Sequence, residues 1–405
     1  MMDAAAIRRE AQGQASTMVH RLGVLVGTES PPGAPGQLAA CADLLDEWGS
    51  AALGRPARRV VVDGVVHLLW PARDQRVLLI GHYDTVWPAG TIDDWPFRVA
   101  GPIATGPGVC DMKSGIVQMI TALALLPDTS RVGLLLTGDE ESGSPTSRAL
   151  IEQQAGRSRA VLVGEPATED GALKIARKGG SVYRIAVHGR AAHAGVEPHR
   201  GVNAAVELAH QVLAVRALAA DGTSVTPTML SGGRMTNQVP ESAEFSVDVR
   251  AWTRDELHRV DRMIRAATPH LAGATVTVDG GVNRYPLPEQ VALPLLEIAR
   301  TVGRRMGLAP LDGAHAPGAS DANFTGSLGV ATLDGLGGVG GGAHARNEWV
   351  DVSQMPDRTA LLAAMIADIT GTTAIAATAG TTGTTDGHRT STRTTTLRST
   401  AIGDR

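Results

Sequence analysis

The chain has 405 residues, is 43% hydrophobic and 19% charged, and carries a formal net charge of −4. That length is too great for one ordinary core and enough for two domains, and the charge makes no case for nucleic acid as a partner. No uninterrupted apolar run is long enough to cross a bilayer, and the first ten residues lack the layout of a secretory signal, so a cytoplasmic protein with no membrane role is expected.

Helices are expected over 15–27 and 37–48, separated by the turn Glu29-Ser30-Pro31-Pro32-Gly33. Short Val-rich strands follow at 59–62, 65–70 and 77–80. The last runs into Gly81-His82-Tyr83-Asp84-Thr85-Val86. Residues two apart on an extended chain point the same way. Asp84 can therefore hold the imidazole of His82 from behind while His82 binds a metal. A strand-end His is by itself more often structural.

The Gly- and Pro-rich loop Gly106-Pro107-Gly108-Val109-Cys110-Asp111-Met112-Lys113 comes next, and a helix over 114–126 places Ile116, Met119, Ile120 and Leu123 on one face. Asp111 stands just ahead of this helix, where its dipole also favours a carboxylate. Cys110 reads as a small buried neighbour rather than a thiolate ligand, and with only Cys41 besides it there is no disulfide framework.

A buried strand over 132–137 ends in Asp139-Glu140-Glu141-Ser142-Gly143. Three adjacent acids repel one another unless cations hold them; the alternative is a solvated turn. A third apolar strand, 160–163, leads into Gly164-Glu165-Pro166. Alternation of strand and helix indicates a parallel sheet covered on both faces. Ligands of such sheets gather at the carboxyl ends of the strands, where His82, Glu140, Glu141 and Glu165 lie.

From residue 178 the texture changes to strand-helix-strand-strand-helix-strand, an α+β unit of ferredoxin-like size. Its strands are expected at 180–188, 225–230, 243–250 and 275–278, and its helices at 203–218 and 254–267. The first domain resumes near Pro286, with helices over 293–306 and 353–369. Between them the glycine run from Gly335 to Gly342 delivers His344. The expected organisation is a discontinuous domain of residues 1–177 and 284–370, an insertion of 178–283, and a disordered low-complexity tail of 371–405.

Imidazole and carboxylate are suitable zinc ligands. His82, Asp111, Glu141, Glu165 and His344 exceed one tetrahedral shell. Two ions sharing Asp111 would each receive it plus one His and one Glu. Three carboxylates and a hydroxide would then balance four positive charges, as a buried site requires. Such sites activate water and need a general base free of the metals, for which Glu140 is the candidate.

These motifs, together with Gly342-Ala343-His344, resemble those of the co-catalytic zinc metallopeptidase and deacylase family, over about 16–369. Its members include glutamate carboxypeptidase, acetylornithine deacetylase, succinyl-diaminopimelate desuccinylase and aminoacylase. The Gly106 loop and the Gly189–Gly195 loop look most like the glutamate carboxypeptidase branch. The resemblance implies an α/β fold with a parallel-rich sheet and an inserted lid that dimerises, giving a homodimer. It implies two Zn²⁺ per chain, with Co²⁺ or Mn²⁺ as substitutes: one held by His82 and Glu165, the other by Glu141 and His344, bridged by Asp111. Asp84 would orient His82, Glu140 would be base and proton shuttle, and a cis peptide would follow Asp111. His193 would reach the partner's site to stabilise the oxyanion. Arg250 and Asn237 would bind the substrate carboxylate, and Gly318 and Ser320 would line the substrate pocket. Relatives often have Thr or Gly where Ser320 stands. Family aminopeptidases usually carry Asp where this chain has Glu165, which argues against N-terminal trimming.

The expected activity is hydrolysis of an amide in a peptidyl or N-acyl amino acid with a free carboxylate. A deacylase of the acetylornithine or desuccinylase kind is the nearest alternative. A non-catalytic binding protein on the same fold is another, against which the intact ligand set and Glu140 count.

Overall fold

Strand Val77–His82 is buried along its whole length because it has a neighbour on each side and helices on both faces. In this computed structural model, residues 3–371 are described; apart from Gly371, the tail expected to be disordered lies outside them. Val77–His82 pairs in parallel with Val132–Thr137 and with Ala160–Val163, and the latter pairs in parallel with Ala331–Leu333. Two further strands, Arg58–Val62 and Val65–Trp70, join the Val132–Thr137 edge in antiparallel fashion. The six-stranded sheet is thus mixed, not wholly parallel. The cause is local: only Asp63 and Gly64 separate the two Val-rich strands, too few for a crossover. Both have positive φ, as a tight two-residue hairpin turn needs.

Alternate side chains divide the core between two layers of helices. Val77, Leu79, Leu134, Leu136 and Leu162 belong to a cluster with residues of Pro35–Leu53, Ser114–Ala124 and Met355–Thr370. Leu78, Ile80, Leu135, Val161 and Val163 pack instead with Ile151, Ala155 and Phe324, from Arg148–Ala155 and Ala322–Ser327. One helix was not expected. Ala4–Gly13 buries Ala4, Ile7 and Ala11 at helical spacing, and Arg8 grips both carboxylate oxygens of Asp357 at 2.8 Å.

A second sheet runs Ser224–Gly232, Ser242–Ala251, Gly179–His188, Thr275–Arg284 from edge to edge, antiparallel throughout. With helices Ala204–Arg216 and Arg254–Arg265 as connections, this is the ferredoxin-like arrangement. Tyr183, Ile185, Val187, Phe245, Val247 and Val249 form its own core with Leu257, Val260 and Ile264. Asn203 and Thr253 cap the two helices through their side-chain oxygens. The chain enters this unit beyond Arg177 and leaves it beyond Arg284. Arg177 and Leu287 tie the two passages together by exchanging backbone hydrogen bonds of 3.3 and 3.1 Å. Among the described residues no helix is long and apolar enough to cross a membrane.

Candidate active site

Strand register brings the candidate residues together. Ile80 is level with both Leu135 and Val163, so Ala160–Val163 ends two residues short of His82 and Thr137 and all three carboxyl ends lie on the same edge. His82 closes the middle strand opposite Thr137, while Glu140, Glu141 and Glu165 lie in the turns just beyond its neighbours. His82 Nε2 is 3.2 Å from Asp111 Oδ1 and 3.4 Å from Glu165 Oε1. His344 Nε2 is 3.4 Å from Asp111 Oδ2 and 3.2 Å from Glu141 Oε2. The two oxygens of Asp111 therefore face different imidazoles, and two three-residue clusters share this one side chain.

Each partner is placed by identifiable local causes. The Asp111 loop is held by Glu348, whose carboxylate accepts the N–H groups of Gly108, Cys110 and Asp111 at 2.8–3.0 Å. Gly108 has φ 71°, and a Cβ there would lie 2.4 Å from the Thr85 methyl. Gly115 allows the helix after Asp111 to approach the Glu165 turn: a Cβ there would stand 1.8 Å from the Gly164 carbonyl oxygen. The Asp111–Met112 peptide is cis. His344 projects from the loop between Gly340–Gly341 and Trp349–Asp351 with φ 65°, a costly conformation for a non-glycine residue. It is the most open of the five, with its side chain 53% exposed.

Asp84 makes contacts beyond His82. Its main-chain oxygen lies 3.0 Å from His82 Nδ1, against 3.5 Å for its carboxylate. The carboxylate accepts instead the backbone N–H groups of Glu140 and Glu141 at 3.2 and 3.0 Å. One buried aspartate thus fixes both a candidate ligand and the candidate base. The three neighbouring acids avoid mutual repulsion by diverging. Asp139 turns away to Thr146 and Ser147, Glu141 faces His344, and Glu140 Oε1 lies 3.0 Å from Arg284 Nη2.

Charge states follow from this packing. Burial opposes a proton on His82, but hydrogen bonds to Asp111, Asp84 and Glu165 outweigh it and hold the imidazole well above its ordinary range. Asp111 and Glu141 push His344 up to about 10. Burial raises the Glu140 carboxyl well above the usual range, against the pull of Arg284 and His82. In each cluster a positive charge is wanted between carboxylates. Glu141 Oε1 is moreover buried without a hydrogen-bond partner, which is costly. Oxygen and imidazole donors with an unsatisfied buried carboxylate oxygen fit a divalent cation.

Two arginines that the sequence did not single out support the acids. Arg177 Nη2 is 3.2 Å from Glu165 Oε2, while its Nε is 2.5 Å from Asp334 and its Nη1 donates to the Gly318 carbonyl. Arg284 lies between Glu140 and Asp321. Their only sequence signal is position, at the two ends of the insertion.

The remaining expected residues are more dispersed. Arg250 lines a cleft of about 690 Å³ together with Glu140, Glu141, Asn283 and His344. Asp248 engages its Nε and Nη2 at 2.8–3.1 Å. Gly318 lines an adjoining cavity of about 490 Å³ that reaches Asp111, Glu165 and His344. Ser320 is fully buried and donates to Asp334 at 2.8 Å. Its hydroxyl therefore braces the Arg177–Glu165 pair and is not a surface of the pocket. His193 lies on a two-stranded ribbon, Ala192–His193 with Gln238–Val239, Asn237 is in the turn just before the second strand, and neither lines either cavity. His193 is exposed, and its Nδ1 accepts the N–H groups of Gly195 and Val196, leaving Nε2 outward. Cys110 is buried and belongs to neither candidate cluster.

Residues 78–368 match the family described as Peptidase family M20/M25/M40. Carboxypeptidase G2 of a Pseudomonas species is 30% identical over 337 residues, covering 78% of this chain and 79% of that one. A succinyl-diaminopimelate desuccinylase of Granulibacter bethesdensis is 30% identical over 330 residues, covering 73% and 83%. Among solved structures, the M20 family metallo-carboxypeptidase Sso-CP2 from Sulfolobus solfataricus aligns with a TM-score of 0.70 at 17% identity, covering 86% of this chain and 98% of that one.

Proposed function

Because this chain belongs to the peptidase family M20/M25/M40 and is a metal-dependent hydrolase, we propose that it cleaves the amide bond of a peptidyl or N-acyl amino acid with a free α-carboxylate. The observation that carries this reading is the sharing of Asp111 between two imidazole–carboxylate clusters, with Glu140 beside them. His82, Glu165 and Asp111 would hold one Zn²⁺, and His344, Glu141 and Asp111 the other. When bound, such ions acidify water and polarise a carbonyl. Glu140 borders both cavities and touches neither imidazole. It takes the proton of the attacking water and passes it to the leaving nitrogen.

The substrate carboxylate is assigned to Arg250. Asp248 occupies Nε and Nη2, so Nη1 is the donor left for the ligand. Arg250→Ala is expected to raise KM for acids while sparing the corresponding amides. Steady-state kinetics on matched acid and amide substrates check this; equal losses on both would make Arg250 structural.

Residues 178–283 act in this reading as lid and dimerisation surface. His193 and Asn237, outside the clefts of their own chain, would serve the partner subunit's site, with His193 stabilising the oxyanion. A cytoplasmic homodimer is proposed.

The desuccinylase relatives favour a second reading, an N-deacylase acting on a succinyl or acetyl amine. Dipeptides ending in glutamate, N-acyl amino acids and N-succinyl diamines, assayed with and without added zinc, test both. Turnover of C-terminal glutamate substrates supports the carboxypeptidase reading. Turnover confined to succinyl or acetyl amines supports the second, and none on any substrate contradicts both.

A further inference from the structure

The return passage from the second sheet carries an arginine whose surroundings set its task. Arg284 ends strand Thr275–Arg284, and its side chain is 9% exposed. Nη2 lies 3.0 Å from Glu140 Oε1, 3.0 Å from Asp321 Oδ1 and 2.6 Å from Ser144 Oγ, with the Glu140 carbonyl oxygen at 3.5 Å. Phe324 supports the guanidinium, with its ring centroid 5.0 Å from Cζ. Asp321 is itself held, accepting from Ser144 Oγ at 2.5 Å and Thr137 Oγ1 at 3.4 Å. The arginine is thus seated in a rigid socket and grips one oxygen of the candidate base.

We propose that Arg284 is the positioning residue of Glu140: it fixes the side chain of the base whose backbone Asp84 already holds. This rests on the reading of Glu140 as general base. A glutamate side chain has three rotatable bonds, and a base works only within hydrogen-bond reach of the proton that it takes. Asp84 immobilises the peptide groups of Glu140 and Glu141 but not the carboxylate. Arg284 does that, leaving the second carboxylate oxygen for water. Arg284 also lines the cleft and engages its neighbours through Nη2 alone, so service as a clamp for the substrate carboxylate is the competing role, which a change in KM rather than kcat would reveal. The location adds a consequence. Arg284 is the last residue of the lid sheet, and backbone bonds tie Leu287 three residues on to Arg177. The base is thereby fixed to the passage between the two sheets, so a disturbance of that passage reaches the chemistry.

The test is a double-mutant cycle with Glu140→Gln, Arg284→Ala and both together, read as kcat, KM, metal content and melting temperature. Arg284→Ala is expected to lower kcat about 10²-fold, the cost of a misplaced reacting group. KM and metal content should change little. Arg284→Lys should recover part of the loss, and added methylguanidine should partly rescue Arg284→Ala. The double variant should be no slower than Glu140→Gln alone, since Arg284 acts only through Glu140. Additive losses would overturn the inference and leave a structural role. A rise in KM with kcat retained would overturn it in favour of substrate binding. Should Arg284→Ala not fold, Arg284→Gln, which can still donate to Asp321 and Ser144, takes its place in the cycle. Near-normal turnover of Glu140→Gln by itself would remove the base assignment and the inference with it; the other outcomes leave that assignment standing.

Discussion

Glu140→Gln should retain its metals and its fold and lose turnover by about 10²–10⁴-fold, the contribution of a positioned general base. The replacement is isosteric, the backbone N–H remains on Asp84, and the amide can still accept from Arg284. What disappears is the capacity to take and return a proton. Single-turnover kinetics with parallel metal analysis check this. Near-normal turnover would refute the assignment. Asp139, the neighbouring acid, is no ready substitute, because it is buried and committed to Thr146 and Ser147.

The second large effect concerns recovery of activity. His193→Ala chains and Glu140→Gln chains should each be nearly inactive, yet their mixed dimer should show about half the wild-type activity. A two-fold interface exchanges residues reciprocally. The His193→Ala core then receives an intact histidine from its partner and forms one whole site, and the other site carries both defects. The basis in this chain is placement: His193 is exposed at the end of its ribbon strand, the next residue, Ala194, donates its N–H to the Asn237 carbonyl, and neither His193 nor Asn237 lines either cavity. Co-expression with two tags isolates the mixed species. A mixed dimer as inactive as its parents, or full activity in a monomer, would sink the shared site.

How much of this was legible in the sequence depended on how local the signal was. His82, Glu140, Glu141 and Glu165 each follow a buried strand, so pattern placed these four at one edge of the sheet, whereas Asp111 ahead of its helix and His344 after its glycine run were read as candidate ligands without that placement. The ferredoxin-like order of strands and helices could likewise be read from period-two alternation and two capped helices. What escaped was non-local. Nothing near Arg177 or Arg284 in sequence names Glu165 or Glu140 as its partner; only the folded crossing brings them within 3.0–3.2 Å. Glu348 drew no role from the sequence, although it holds the Asp111 loop from more than 230 residues away. The partner of Ser320 was equally hidden: its hydroxyl donates to the buried Asp334. The helix Ala4–Gly13 was overlooked because so short an apolar stripe is stabilised by packing against Met355–Thr370 rather than by propensity. The antiparallel hairpin was readable from Asp63-Gly64, a turn signal that the strand-helix alternation around it obscured.

The central claim is that Asp111 joins two metal sites in the working enzyme. The most direct measurement is anomalous diffraction at the zinc edge, on crystals of fully active protein. The account predicts two peaks, one among His82, Glu165 and Asp111 and the other among His344, Glu141 and Asp111. A single peak in protein of full activity, or peaks away from these side chains, would contradict it.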